Sequence, residues 1–210
     1  MQTVHLFVFD GQADWEPGFA VAGLNQPLAP GAAPRFRVAT VGPTDAPART
    51  MDGLRVVPDG TIARLDPCES AMLILPGGTA WEEGGNAAAL AKARAFLDAG
   101  VPVAAICGAT FGLARAGLLD DRRHTSNARE YLARSGYRGA ALYQDEPAVT
   151  DRDLITAGGV MPVDFARAIF ARLEVFPPKV LDACYGLYKT GEARYFYELG
   201  AGASPPSSSA

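Results

Sequence analysis

Histidine is almost missing from this chain, with two residues in 210, His5 and His124. Cysteine is nearly as scarce: Cys68, Cys107 and Cys184 are widely separated and odd in number. So few ligand-type side chains argue against a dedicated metal site, and three scattered thiols make no disulfide framework. No cofactor is expected. Basic charge does not predominate either, since 19 Lys and Arg stand against 23 Asp and Glu for a net −4. That balance recommends neither nucleic acid nor an anionic membrane surface as a partner, which leaves a small molecule. No apolar run approaches the length of a membrane span, and the first residues lead into a strand pattern without a basic signal-like region. A reducing cytoplasm is the simplest compartment for such a chain.

What the chain does have is an alternation of apolar runs and helical patterns. Strands are expected at residues 4–9, 36–41, 71–75, 103–106 and 153–157, with a weaker extended stretch at 54–58. Helices are expected from Asp14, as N-cap, to about Leu24, and at 87–97, 108–117, 127–134, 162–173 and 178–188. Continuous apolar strands separated by helices indicate a parallel sheet covered on both faces. The expected fold is a doubly wound α/β sandwich, one domain over residues 1–200, followed by a low-complexity, disordered tail at 201–210.

Cys107 is the residue that draws the chemistry together. It stands where the strand at 103–106 breaks into a helix, between small neighbours in Ala105-Ile-Cys-Gly-Ala109. A nucleophile elbow needs such neighbours, because larger side chains would collide around one residue held in a strained turn. The N-terminus of the following helix would favour thiolate. A lone cysteine can equally be an inert small hydrophobe.

Ligands of such sheets bind beyond the carboxyl ends of the strands. Four segments with unusual chemistry lie just past a strand end: Asp14-Trp15-Glu16, Gly77-Gly78, Cys107 and Gly158-Gly159. Parallel strands would place all four on one edge. Glu16 is then a candidate acid beside the thiol, protonated because two adjacent anions are costly. It can also be read as an acid decorating a first helical turn. Gly78 and Gly108 are candidate oxyanion N–H donors, and a plain tight turn is the alternative at Gly78. His124 is a candidate general base, Asn127 and Trp15 are candidate auxiliary residues, and Trp81 and Phe111 are candidate pocket walls.

These residues together resemble the ThiJ/PfpI superfamily, over about residues 4–187. The carriers are residues 11–16 after the first strand, the turn Leu75-Pro-Gly-Gly78, Ala104-Ala-Ile-Cys-Gly108, and Ala116-Gly-Leu-Leu-Asp120 with Arg122 and Arg123 beyond it. The resemblance implies a flavodoxin-like, glutamine-amidotransferase-like sandwich and, as in many members, a homodimer. It implies Cys107 as nucleophile, Glu16 as the carboxylic acid that hydrogen-bonds it, and Gly78 and Gly108 as oxyanion donors. The departures are as informative. Protease-like members carry a histidine directly after the cysteine, where this chain has Gly108. Isocyanide hydratases use aspartate where this chain has Glu16. Many relatives place a histidine near the cysteine from the segment where this chain has Asn127. A conventional protease or glutamine amidotransferase is therefore not expected.

Three functions fit. The leading one is a cysteine-dependent enzyme, hydrolase or lyase, acting on a small carbonyl or amide in a glyoxalase-, hydrolase- or hydratase-like reaction. The second is a stress or redox-sensing protein that oxidises Cys107. The third is a non-catalytic binding domain that keeps only the scaffold.

Overall fold

Alternate residues of the central strands face opposite sides of one sheet, and both sides are apolar. Val4, Leu6 and Val8 join one core with Met72, Ile74, Ala104 and Ile106, whereas Phe7 and Phe9 join the other with Leu73, Leu75, Val103 and Ala105. This period of two, with no polar face, is what a sheet buried on both sides requires. In the computed structural model, which describes residues 1–26 and 33–202, helices cover both faces.

The strands are β1 (Gln2–Phe7), β2 (Phe36–Gly42), β3 (Ala48–Arg49), β4 (Arg55–Val56), β5 (Gly60–Thr61), β6 (Met72–Leu75), β7 (Val103–Ile106), β8 (Ala148–Asp151) and β9 (Leu154–Ala157). The helices are α1 (Trp15–Asn25), α2 (Ala87–Asp98), α3 (Gly108–Arg115), α4 (Arg129–Ala133), α5 (Pro162–Arg172), α6 (Pro178–Thr190) and α7 (Ala193–Gly202). Seven strands form the main sheet in the order β5-β2-β1-β6-β7-β9-β8, all parallel except β8, which runs antiparallel to β9. Strands β3 and β4 make a separate small hairpin. The core of Ala93, Phe96, Ala109 and Leu113 lies under α2 and α3, and that of Ala20, Leu24, Phe165, Ile169 and Val180 under α1, α5 and α6. No helix among the described residues is long and apolar enough to cross a membrane.

Most of the expected elements are present; the two-residue strands β3 and β5 were not expected, and four further departures stand out. Asp14 precedes α1 but does not cap it; its carboxylate accepts the N–H of Asp52 in the β3–β4 hairpin. The helix expected at 127–134 is only Arg129–Ala133. The edge strand β8 has no counterpart in the expectation, because its residues alternate between buried and exposed and carry polar Thr150 and Asp151. Helix α7 was likewise not expected. It packs on α6, where a Cβ on Gly186 would meet the ring of Tyr195 at 2.5 Å. Residues 201–202 thus close a helix rather than open a tail, and the rest of the expected tail, 203–210, lies outside the described residues.

Strands β1, β6, β7 and β9 are neighbours pointing the same way. The loops that follow them therefore meet at one edge.

Candidate active site

Cys107 sits between the end of β7 and the start of α3, with φ 56° and ψ −125°. That conformation is strained for a residue with a side chain and persists only where its surroundings hold it. Its N–H donates to the Ala157 carbonyl at 3.0 Å, and its own carbonyl accepts the Thr110 N–H at 3.1 Å. The Thr110 hydroxyl donates to the same carbonyl at 2.6 Å and bonds Ser126 Oγ, also at 2.6 Å. Thr110 has one hydroxyl proton, so Ser126 donates in that second bond. Both hydroxyls are buried, which makes this a fixed brace behind the elbow.

Glu16 enters from the first turn of α1 and has no exposed surface. Its Oε2 accepts the Gly77 N–H at 2.5 Å, while Oε1 has no partner in hydrogen-bonding geometry. Two glycines let the carboxyl and the thiol share this small space. A Cβ on Gly77 would lie 2.6 Å from Cys107 Cβ and 2.7 Å from Glu16 Oε2. One on Gly159 would lie 2.7 Å from Cys107 Sγ and 3.2 Å from Glu16 Oε1. Only glycine fits either place.

Burial pushes the Glu16 carboxyl up to about 7, against the opposing pull of the Gly77 N–H and the thiol. Burial also pushes the Cys107 thiol up to about 11, and the Glu16 charge adds to this. The Asn127 amide and the Gly108 N–H act the other way. The expectation that the turn and the helix end favour thiolate is thus corrected: desolvation and a neighbouring carboxylate outweigh them. The pair gives up its last proton only at high pH, because two anions would then lie side by side.

Asn127 reaches the sulfur with its amide nitrogen, Nδ2 donating to Cys107 Sγ at 3.4 Å. Its Oδ1 accepts the Gly159 N–H at 2.8 Å, so the amide has one sensible orientation. The sulfur opens into a cleft of about 510 Å³, with Trp15, Tyr143, Asp145, Glu146 and Met161 among its walls. Trp15 forms part of the rim, 47% exposed, and its indole N–H donates to the Gly159 carbonyl at 3.1 Å.

A strained cysteine on the turn between a parallel strand and a helix, backed by a buried glutamate and paired glycines, can be compared with known proteins. The model of the DJ-1/PfpI family matches residues 2–172. The chain belongs to the DJ-1/PfpI family. It is 39% identical to the "uncharacterized protease YoaZ" of Bacillus subtilis over 204 residues, covering 95% of this chain and 97% of that protein. The crystal structure of the thiJ/pfpI family protein from Bacillus anthracis superimposes with a TM-score of 0.89 at 40% identity, covering 96% of this chain and 98% of that one. The DJ-1 superfamily protein Atu0886 from Agrobacterium tumefaciens gives 0.80 at 33% identity, covering 91% and 100%.

Of the residues singled out in sequence, this DJ-1/PfpI protein brings together Cys107, Glu16, Gly78, Gly108, Asn127 and Trp15. Gly78 touches Gly108 closely, since a Cβ on Gly108 would lie 2.5 Å from the Gly78 carbonyl oxygen and 3.1 Å from its nitrogen. Gly77 N–H is spent on Glu16, which leaves Gly78 rather than Gly77 as a candidate oxyanion donor. His124 is not brought to the site. It is buried, with Nδ1 at 2.7 Å from the Arg122 carbonyl and Nε2 at 3.0 Å from the Tyr137 hydroxyl. The auxiliary role expected for it is withdrawn, because both ring nitrogens are occupied away from the sulfur. Trp81 and Phe111 are core residues and not cleft walls: Trp81 is 1% exposed, bonds the Pro76 carbonyl and packs edge-on against Phe7 and Phe9. Among the described residues no group of three or more His, Cys, Asp or Glu could hold a metal ion.

Sequence reasoning missed Thr110 and Ser126, whose role appears only once the loop after α3 folds back on the elbow. It also missed Asp145 and Glu146, which precede the unexpected strand β8. A hydroxyl at the third position after an elbow residue, facing back along the first helical turn, is the signal that could have revealed Thr110.

Proposed function

We propose that this protein is an enzyme using Cys107 as the nucleophile on a small carbonyl or amide substrate, with Glu16 as its proton partner. As the sulfur forms a bond to the electrophilic carbon, the thiol proton passes to Glu16 Oε1 and the carbonyl π pair moves to oxygen. The Gly78 and Gly108 N–H groups hold that oxygen, and Glu16 then returns the proton to it. Atoms and charge balance in a neutral thiol adduct. The observation that carries the reading is the buried, unpartnered Oε1 of Glu16 beside a thiol on a strained elbow. A carboxyl whose pKa is raised to about 7 both accepts and returns a proton near neutrality.

Two relatives carry the name "uncharacterized protease". Peptide cleavage fits this cleft less well. Among the described residues no histidine lines it, so Glu16 alone would have to serve both the thiol and a leaving amine. Peroxide sensing draws on the same pair and the same proton transfer to Glu16, and burial that raises the thiol to about 11 disfavours the free thiolate in both readings. A passive scaffold gives no account of a strained elbow facing a raised carboxyl.

Turnover of methylglyoxal or of small amides, compared between the native chain and Cys107→Ala, tests the proposal. Turnover lost in Cys107→Ala supports it, and turnover retained there overturns it.

A further inference from the structure

Building on the reading of Cys107 as nucleophile, we infer that this cleft selects positively charged substrates over negatively charged ones. Three carboxyl groups line it, from Glu16 in its floor to Asp145 and Glu146 at the exposed mouth. None of its walls among the described residues is Lys, Arg or His. Among the described residues neither mouth carboxylate has an ion-pair partner, and Glu146 is engaged through its backbone carbonyl, which accepts the Thr125 hydroxyl at 2.8 Å. The guanidinium of Arg129 keeps its charge behind one wall, stacked 4.7 Å over the Tyr143 ring and donating to the Ala140 and Tyr143 carbonyls, and it forms no ion pair with either mouth carboxylate.

The helix ends do not reverse the field. The N-terminus of α3 faces the thiol itself, and the first turn of α5 carries Asp164, whose charge is paired with Lys189 at 2.7 Å. Among the described residues, the charge that acts on the sulfur is that of Glu16 when ionised, and it is negative. Oε1 of Glu16 is committed to the Cys107 thiol, so the attraction for a cation comes from the two carboxylates at the mouth. Trp15 adds a half-exposed indole to the rim, a ring type that attracts cations. An ammonium- or guanidinium-bearing carbonyl compound fits this set. A carboxylate- or phosphate-bearing one would enter against the two like charges of Asp145 and Glu146.

The test needs no knowledge of the natural substrate. Methanethiosulfonate reagents of similar size, carrying an ammonium, a sulfonate or no charge, label thiols by one step: the sulfur forms a disulfide and methanesulfinate leaves with the bonding pair. Labelling rates at Cys107 are read by peptide mass spectrometry on the full chain, normalised to the neutral reagent and to the same ratio for free cysteine. The ammonium reagent is expected to gain roughly 3- to 10-fold over the sulfonate at low salt, an advantage that shrinks as ionic strength rises. The doubly substituted Asp145→Asn/Glu146→Gln chain is expected to lose most of it, while the ratio at exposed Cys68 stays as it was. A ratio at Cys107 equal to that of free cysteine, or one unchanged by the double substitution, overturns the selectivity and leaves the nucleophile in place. Failure of all three reagents to label Cys107 while Cys68 is labelled overturns both.

Discussion

Asn127 presents a nitrogen rather than an oxygen to Cys107 because the Gly159 N–H occupies its amide oxygen, at 2.8 Å, while Nδ2 stands 3.4 Å from the sulfur. The interaction is worth most when the sulfur is negative, since hydrogen bonds to charged groups are roughly twice as strong as neutral ones. Asn127→Ala is expected to slow alkylation of Cys107 by iodoacetamide about 10- to 100-fold near neutral pH, the equivalent of roughly 1.5–3 kcal/mol. Asn127→Asp is expected to slow it further, because it sets a second carboxylate beside the thiol. Alkylation as fast as in the native chain would show that the amide does not stabilise the thiolate.

Glu16 makes stability depend on pH in a definite direction. Its folded pKa, raised to about 7 from 4.5, means that the folded state keeps a proton the unfolded state has already lost. Its contribution is fully present below the unfolded pKa and is lost as pH rises through the folded one. Between about pH 4.5 and about pH 7 the native chain should lose on the order of 3 kcal/mol relative to Glu16→Gln, which cannot titrate. Urea unfolding of both chains across that window measures the difference. Parallel curves for the two chains would contradict the raised carboxyl.

The same Glu16→Gln substitution removes the charge that helps hold the thiol up, so the Cys107 pKa is expected to fall from about 11. The thiolate absorbance, followed during a pH titration, reports this directly. Turnover is expected to fall about 100-fold or more even as the thiol becomes more acidic, because the proton acceptor is gone. A more acidic thiol with full turnover would assign Glu16 a purely electrostatic part.

Gly159→Ala brings a methyl to within 2.7 Å of Cys107 Sγ and 2.9 Å of its Cβ. Overpacking of that kind costs roughly 1–3 kcal/mol. The penalty is expected to shrink when combined with Cys107→Ala, which removes the closer of the two atoms. Additive losses in thermal unfolding of the single and double variants would place the strain elsewhere.

His124 provides the control. Its ring joins the Arg122 carbonyl to the Tyr137 hydroxyl in a buried position, so His124→Ala is expected to lower stability by about 1–3 kcal/mol. Cys107 alkylation should remain within about threefold of native, because no proton transfer passes through that ring. A large fall in alkylation without loss of stability would restore His124 to the site.

The sheet was legible because its strands advertise themselves twice, as apolar runs and by the turns that end them. The elbow was legible for a related reason: Ala105, Gly108 and Ala109 are small where a strained residue needs room. Glu16 and the glycines could be placed on one edge by topology alone. What sequence could not give was orientation. That Gly77 gives its N–H to Glu16 could not be read from the Gly-Gly pair, and the thiol looked acidic until burial was known. His124 and Asn127 are close in sequence, and only the bend after α3 decides which of them meets the sulfur. Strand β8 and helix α7 escaped because each covers part of its surface with polar or exposed residues, Thr150 and Asp151 in one and Phe196 and Tyr197 in the other.

Both borders of the main sheet are short, two residues in β5 and four in β8. The interior strands must find partners far away in sequence, which makes this kind of folding slow and leaves unpaired backbone open to neighbouring chains for a time. On one side β5 pairs only Val41 and Gly42 of β2, and the outward N–H groups of Val38 and Thr40 are taken by the Asn25 and Asp59 side chains, which shortens the ladder another chain could extend. The reversed strand β8 closes one border with a tight return through Arg152 and sets Asp151 beside it, whose carboxylate takes the Arg123 N–H. That border resists fibrous growth by its brevity and its charge, which would help keep a crowded solution of this protein clear.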